Sequence, residues 1–289
     1  MLAALASLVM VVPSHAQADC GRVVIFTLPG VTWHDVARYR PPSLLAAIEQ
    51  GAAGSLSVRT NSARTTYASG FATIGAGSRL DGGRSTGGIL QQDSGGPIEL
   101  VEGVRAGGIS ELRELADAAG YSAVPGALGD ALGTIPTIAI GNSDLAIDPP
   151  VPLGYGRWSV LAAMDRSGVV DLAGVDSDVL MIENGNVRTD PGAMATLIDA
   201  ALSRPCAVTV VDPGDLIRSD TSDPAARLVW PDAVASADAN LALVMDRLDP
   251  AKDLLLIASP TSPLRERTTH FGVAVAVGPA FHAGGSLTS

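Results

Sequence analysis

With 289 residues, 47% of them apolar, 32 Gly and 19 Pro, the chain can bury one large α/β core or two small domains and does not have the composition of a disordered polymer. Its net charge of −11 and pI near 4.7, without a run of Lys or Arg, argue against nucleic acid or an anionic membrane surface as a partner.

Met1 to Val12 is an almost unbroken apolar run, followed by Pro13, Ser14 and the triplet Ala16-Gln17-Ala18. It is short for a bilayer span and reads as a signal peptide, residues 1–18, which leaves 19–289 as a single α/β domain. No Lys or Arg precedes the run, which leaves room for a start further upstream, and Asp19 weakens a lipoprotein reading through Cys20. Export permits a disulfide between the two cysteines. Cys20 precedes the run Val23 to Leu28 and Cys206 precedes Ala207 to Val211, so two parallel strands would put both at one sheet edge. A bridge then needs Cα atoms within about 7 Å. Two buried thiols are the equal alternative.

In chain order, a strand over Arg22 to Leu28 ends at Pro29-Gly30, opening the carboxyl edge at which doubly wound folds bind ligands. Pro41-Pro42 leads into a short helix stopped by Gly51, and the alternating run Ser55 to Arg59 feeds the stretch SARTTYASGFATIGAGSR, Ser62 to Arg79. A helix starting at Tyr67 would aim its first N–H groups and the positive end of its dipole beside the Thr66 hydroxyl, a ready anion site. Equally, Thr65 or Thr66 is simply the helix cap. Asp81 to Gly108, rich in Gly, Ser and Gln, reads as a long surface excursion, and Ser110 is placed to cap a helix over Glu111 to Ala119.

A helical turn over Ala127 to Leu132 precedes a strand over Pro136 to Ile140, which hands on to Gly141-Asn142-Ser143-Asp144. A proline-rich connection, Asp148 to Gly156, leads to a short helix at Trp158 to Asp165 and a strand at Asp178 to Ile182. Asp190-Pro191 starts a helix that runs to about Ser203, and the strand Ala207 to Val211 delivers Asp212-Pro213-Gly214-Asp215. Val234 to Leu248 keeps a helical period, and strands follow at Asp253 to Ala258 and Gly272 to Val277. Apolar strands alternating with amphipathic helices predict a mostly parallel sheet sandwiched by helices. The sequence stops at Ser289 with no closing helix, so a truncated C-terminus is expected.

Hydroxyl and acidic clusters fall at or just beyond predicted strand ends: Thr65-Thr66, Asn142 to Asp144, and Asp212 with Asp215. Converging carboxylates there could hold a hard cation or zinc, although Asp is also common in loops as a turn former and cap. His34, His270 and His282 share no metal-ligand spacing with another His or Cys and read as structural. There is no G-x-S-x-G elbow, Walker loop or G-x-G-x-x-G after the first strand.

Taken in order, VVIFTLPG, PSLLAAIEQGA, RTTYASGFATIGAG, VVDPGD and LLLIASPTSP resemble the alkaline-phosphatase-like superfamily of nucleotide pyrophosphatases, sulfatases and phosphoglycerate mutases. The resemblance covers most of the chain beyond residue 18 and is greatest to exported or membrane-anchored actinobacterial members. It implies an alkaline-phosphatase-like α/β core in which metal ions activate a Thr, Ser or modified Cys for attack on phosphorus or sulfur. Carried onto this sequence, Thr66 matches the nucleophile, Asp212 an acidic metal ligand and Asp215 a replacement partner. The departures lie at three segments: Phe26 to Gly30 contains no Asp, Ala258-Ser259-Pro260 stands in place of Asp-His, and Leu216 replaces a histidine. Each zinc needs about four ligands, so a dinuclear site is not expected to assemble.

The expectation is therefore an exported domain, secreted or in the cell envelope, with a degenerate metal site and a non-catalytic binding or sensory role. Its partner would be a small-molecule ester or an envelope protein, with membrane association through a segment beyond Ser289. The alternative is a metal-dependent phospho- or sulfo-ester hydrolase with Thr66 as nucleophile and a divalent ion such as zinc at Asp212 and Asp215. A third reading, an unrelated Rossmann-like binding domain, would leave Thr66 far from Asp212.

Overall fold

The computed structural model describes residues 20–60, 62, 64–83, 87, 89, 97–147, 156–220, 229–265 and 271–287. The expected signal peptide at 1–18, the connection at 148–155 and His270 lie outside them.

Apolar runs too short for helices form the centre of the sheet: β1 (Val23–Thr27), followed in sequence by the outer strands β2 (Ala52–Ser57) and β3 (Val101–Arg105) and the inner ones β4 (Thr137–Ile140) and β5 (Val169–Gly174). A separate ribbon of β6 (Leu180–Glu183) and β7 (Asn186–Thr189) precedes β8 (Val208–Val211), β9 (Leu254–Ala258), β10 (Phe271–Val277) and β11 (Gly285–Ser286). Among the described residues the main sheet has nine strands in the order β11-β2-β10-β9-β1-β8-β4-β5-β3. Its five consecutive strands from β9 to β5 are mutually parallel, with Val23 opposite both Val208 and Leu254 and Ile138 opposite both Thr209 and Leu172. Their carboxyl ends therefore share one edge.

Side chains alternate across these strands, so Val24 and Phe26 enter one core while Ile25 enters the other. The first core is covered by α1 (Trp33–Tyr39), α2 (Pro42–Gln50), α7 (Pro191–Leu202) and α9 (Trp230–Met245), which contribute Val36, Leu44, Leu197 and Leu241. The second takes Phe71 from α3 (Tyr67–Ala76), Leu112 from α4 (Ile109–Ala119) and Leu161 from α6 (Ser159–Ala163), with Leu128 of α5 (Ala127–Leu132) packed against it. A one-turn helix, α8 (Asp215–Ser219), follows β8. The expected α/β sandwich with a mostly parallel sheet is the observed architecture.

Several expectations need correction. The stretch read as a surface excursion contains β3, an edge strand antiparallel to β5, hidden from pattern reading by Gly103 and two exposed charges, Glu102 and Arg105. β5 lies inside the sheet but was not anticipated, because Asp171 interrupts its short apolar run. β6 starts at Leu180 and, among the described residues, pairs with β7 alone, across a turn in which Asn184 and Gly185 take φ of 51° and 78°. The cap of α4 is Gly108, not Ser110. β10 runs antiparallel to β9 and β2.

The two cysteines precede adjacent strands, β1 and β8, and are joined by a disulfide between Cys20 and Cys206 with Cα atoms 5.2 Å apart. The bridge lies at the amino edge of the sheet, opposite the carboxyl ends of its parallel strands.

Candidate functional site at the carboxyl edge

Thr66 is the N-cap of α3: its extended backbone (φ −73°, ψ 170°) lets its hydroxyl accept from the Ser69 amide at 3.2 Å, and it lies 2.8 Å from the Ser69 hydroxyl. Its side chain is exposed, whereas Thr65 is buried and donates to the Val58 carbonyl. The small residues of α3 let it approach the end of β9. A Cβ on Gly70 would stand 2.5 Å from the Pro260 carbonyl oxygen and 2.7 Å from Thr261 Cγ2. Beside that contact, the buried hydroxyls of Ser259, Thr261 and Ser262 have no hydrogen-bond partner among the described residues. Unpaired buried hydroxyls are uncommon and mark a polar spot where water or a ligand can be accommodated.

Tyr67 extends from the same helix start to Asp220, its hydroxyl 3.1 Å from Asp220 Oδ2 and 3.2 Å from the Asp220 carbonyl. Burial, reinforced by the Asp220 carboxylate and the hydrogen bond to it, raises the phenol well above its ordinary range, so Tyr67 remains a donor; the more distant Asp212 charge acts in the same direction. Asp220 also accepts from the Leu264 amide (2.9 Å) and from the Arg265 guanidinium (3.2 Å). The same guanidinium donates to Asp35 Oδ2 (2.5 Å) and the Gly30 carbonyl (2.8 Å), and stacks 3.5 Å from the Trp230 ring. Trp230 in turn donates to Asp35, and Asp35 completes the capping box of Thr32. Arg265 thus ties the turn after β1, the end of α8 and the start of α9 into one buried polar cluster. Gly30, at φ +74°, is required there, because a Cβ would lie 2.7 Å from Asp220 Oδ2.

On the β8 side, Asp212 is fully buried; Oδ2 accepts from the Ser143 hydroxyl at 2.7 Å and Oδ1 from the Gly214 amide at 3.2 Å. Burial outweighs those donors and pushes its pKa up to about 6. Asp215 Oδ1 accepts from the Thr189 amide (3.0 Å) and Arg218 (2.7 Å), and Oδ2 from the Ser236 hydroxyl (2.9 Å). Arg218 also donates to the Asn142 carbonyl at 2.7 Å. Asn142 donates to the Val175 and Asp176 carbonyls and accepts from the Asp144 amide, while Asp144 is paired with Arg157 at 3.1 Å. Burial raises the Asp144 pKa against the pull of Arg157.

The structure gathers Asn142 to Asp144, Asp212 and Asp215 into one network through Ser143 and Arg218. Thr66 is outside its hydrogen bonds, and the link to Asp212 is the electrostatic reach of that carboxylate to the neighbouring Tyr67. For a resident metal the fit is poor: every oxygen of Asp212 and Asp215 already accepts a hydrogen bond from the protein. Among the described residues no group of three or more His, Cys, Asp or Glu could hold a metal ion. His34 is exposed on α1 and His282 is exposed just before the turn at Ala283-Gly284.

Sequence reasoning passed over Tyr67, Asp220, Arg265 and Arg218. A signal existed for Arg218, which follows Asp215 at the i, i+3 spacing of helical ion pairs. Arg265 had none, since its partners Asp35 and Asp220 are 230 and 45 residues away.

No protein-family model matches this chain, and no curated protein sequence does. Solved structures similar to it include an alkaline phosphatase from the Antarctic bacterium TAB5, at 11% identity and TM-score 0.48 over 89% of this chain and 90% of that one. A protein in the alkaline phosphatase superfamily from Vibrio parahaemolyticus matches at 10% identity and TM-score 0.43, over 93% of this chain and 62% of that one. The PH0037 protein from Pyrococcus horikoshii matches at 12% identity and TM-score 0.46, over 91% and 86%. Similarities at this level transfer no residue role.

Proposed function

We propose that this chain is an extracytoplasmic binding or sensory domain on an alkaline-phosphatase-like core whose metal site is degenerate, so that Thr66 serves as a helix cap. One observation carries the reading: the carboxylates of Asp212 and Asp215, the candidate ligands, are already satisfied by Ser143, Gly214, Thr189, Arg218 and Ser236. Those donors use the two carboxylates to hold loops in place, Arg218 sets a positive charge 2.7 Å from Asp215, and two carboxylates with no third His, Cys, Asp or Glu beside them among the described residues fall short of the about four ligands zinc takes. Three features support export: the apolar leader at 1–18, its small-residue end at Ala16 and Ala18, and the Cys20–Cys206 disulfide.

The second reading, a hydrolase using Thr66, draws on a different observation: an exposed hydroxyl at the start of a ten-residue helix whose Gly70 packs against the segment after β9, where buried hydroxyls are unpaired among the described residues. Turnover of aryl phosphate, phosphodiester and sulfate esters, with zinc or manganese added, separates the two. The binding reading expects no release above buffer and no difference between wild type and Thr66→Ala. Metal-dependent turnover lost in Thr66→Ala supports the hydrolase and removes the binding reading.

A further inference from the structure

The β6–β7 ribbon joins no other strand among the described residues, so each of its strands has a second edge. Its register fixes which backbone groups point outwards. The turn at Asn184-Gly185, with both residues at positive φ, makes Glu183 and Asn186 the first hydrogen-bonded pair. Pairs alternate along an antiparallel ladder, so Met181 with Arg188 is the next. Leu180 and Ile182 on β6, and Val187 and Thr189 on β7, therefore aim N–H and C=O away from the neighbouring strand.

The protein itself uses most of these groups' positions. On β7 the Thr189 amide goes to Asp215 Oδ1 at 3.0 Å, and on β6 the Leu180 amide goes to the Ser177 carbonyl. The amide and carbonyl of Ile182 take no partner among the described residues, and its side chain is 64% exposed. An open edge of this kind is a template for pairing, and β6 lacks the devices that block it: Leu180-Met181-Ile182-Glu183 contains no Pro or Lys, and its register has no bulge. A two-stranded ribbon is also marginal by itself and is stabilised by further strands.

We infer that β6 is a dimerisation edge, pairing antiparallel with β6 of a second copy of this chain about a two-fold axis at Ile182, so that two ribbons become one four-stranded sheet. Each Ile182 amide then donates to the second copy's Ile182 carbonyl. The structure selects this register. An axis at Met181 or Leu180 needs the Leu180 amide, which Ser177 already holds, and an axis at Glu183 needs Asn184, whose φ of 51° is not extended.

The edge is complementary to itself, as an isologous interface requires. Directly opposite residues share a face, so Val187, Ile182 and the second copy's Ile182 and Val187 form one apolar row across the four strands. On the other face Glu183 lies opposite the second copy's Met181, with that copy's Arg188 one strand further, so carboxylate approaches guanidinium and no like charges are opposed. Arg188 keeps its own solvated neighbours, Glu183 at 3.4 Å and Asp232 at 3.6 Å, so the backbone bonds and the apolar row carry the association. The inference goes beyond the binding reading above and rests on none of its residues.

The test is sedimentation velocity of the full chain from about 10 µM to 1 mM, with amide hydrogen exchange followed at both ends of that range. A contact of this size is smaller than a standard interface, so a monomer–dimer equilibrium with a Kd on the order of 100 µM is expected, with exchange of the Ile182 amide slowing about fourfold across the range. Ile182→Lys, at an exposed position outside the ribbon's own hydrogen-bonded pairs, is expected to weaken association at least about tenfold. Met181→Glu, which opposes the second copy's Glu183, should weaken it about threefold, whereas Met181→Lys should not weaken it. A wild type that stays monomeric at the highest concentration, a dimer that survives Ile182→Lys, growth beyond the dimer, or concentration-dependent protection at another strand instead of β6 each overturns the inference.

Discussion

Tyr67 donates to Asp220, joining the first residue of α3 to the end of α8 across the carboxyl edge of the sheet. Because Asp220 keeps its bonds to Leu264 and Arg265 when the phenol is removed, Tyr67→Phe is expected to cost about 1 kcal/mol in urea unfolding. A loss of several kcal/mol would mean that the hydroxyl organises more than this contact.

Removing the cation is a larger change. Arg265→Ala leaves Asp35 and Asp220 buried without it, and the expected loss is about 3–5 kcal/mol. Arg265→Lys should recover only a minor part, because an ammonium cannot bridge both carboxylates in the guanidinium plane or stack on Trp230 in the same way. Full rescue by Lys in chemical denaturation would contradict the geometry.

Asp212 sets a pH signature. Its folded pKa, about 6, lies above the ordinary 3.8, so between those values the native state holds a proton that the unfolded chain has released. Asp212 therefore favours folding below about pH 4, and that contribution is lost as pH rises through 6, by about 3 kcal/mol in total. Relative to Asp212→Asn, wild-type stability should fall across this window. A parallel pH dependence in the two proteins would show that the carboxyl titrates normally.

The disulfide closes a loop across 186 residues of sequence while spanning adjacent strands. Replacing both Cys20 and Cys206 by Ser should cost about 2–5 kcal/mol, mainly by freeing the unfolded chain. Because the bridge is at the opposite edge from Asp212 and Tyr67, the backbone amide chemical shifts of the folded variant around Asp212 and Tyr67 should match wild type.

The parallel strands that build the site edge were legible where a short run holds only apolar and β-branched residues, as in Val23 to Thr27 and Val208 to Val211, because strands buried on both faces take near-continuous runs of that kind. The start of α3 was legible through Thr66, whose backbone preference and hydroxyl are local properties. β3 and β5 were not, since Gly103 and Asp171 break the pattern and only tertiary pairing restores it. At the site, Asp212 and Asp215 stood out as acidic residues at a strand end, but their donors come from distant segments, Ser143 and Thr189 among them. A sequence shows that a carboxylate is available and leaves open what reaches it first. The Arg265 cluster was invisible for the same reason.

The most direct measurement is metal content by elemental mass spectrometry on the protein purified without chelator, in wild type, Asp212→Asn and Asp215→Asn. A binding domain whose carboxylates are committed to Ser143, Thr189 and Arg218 predicts no stoichiometric zinc, manganese or calcium in any of the three, with the wild-type fold intact. Near-stoichiometric metal in wild type that falls in both Asp variants would contradict it and make Thr66 a nucleophile worth assaying.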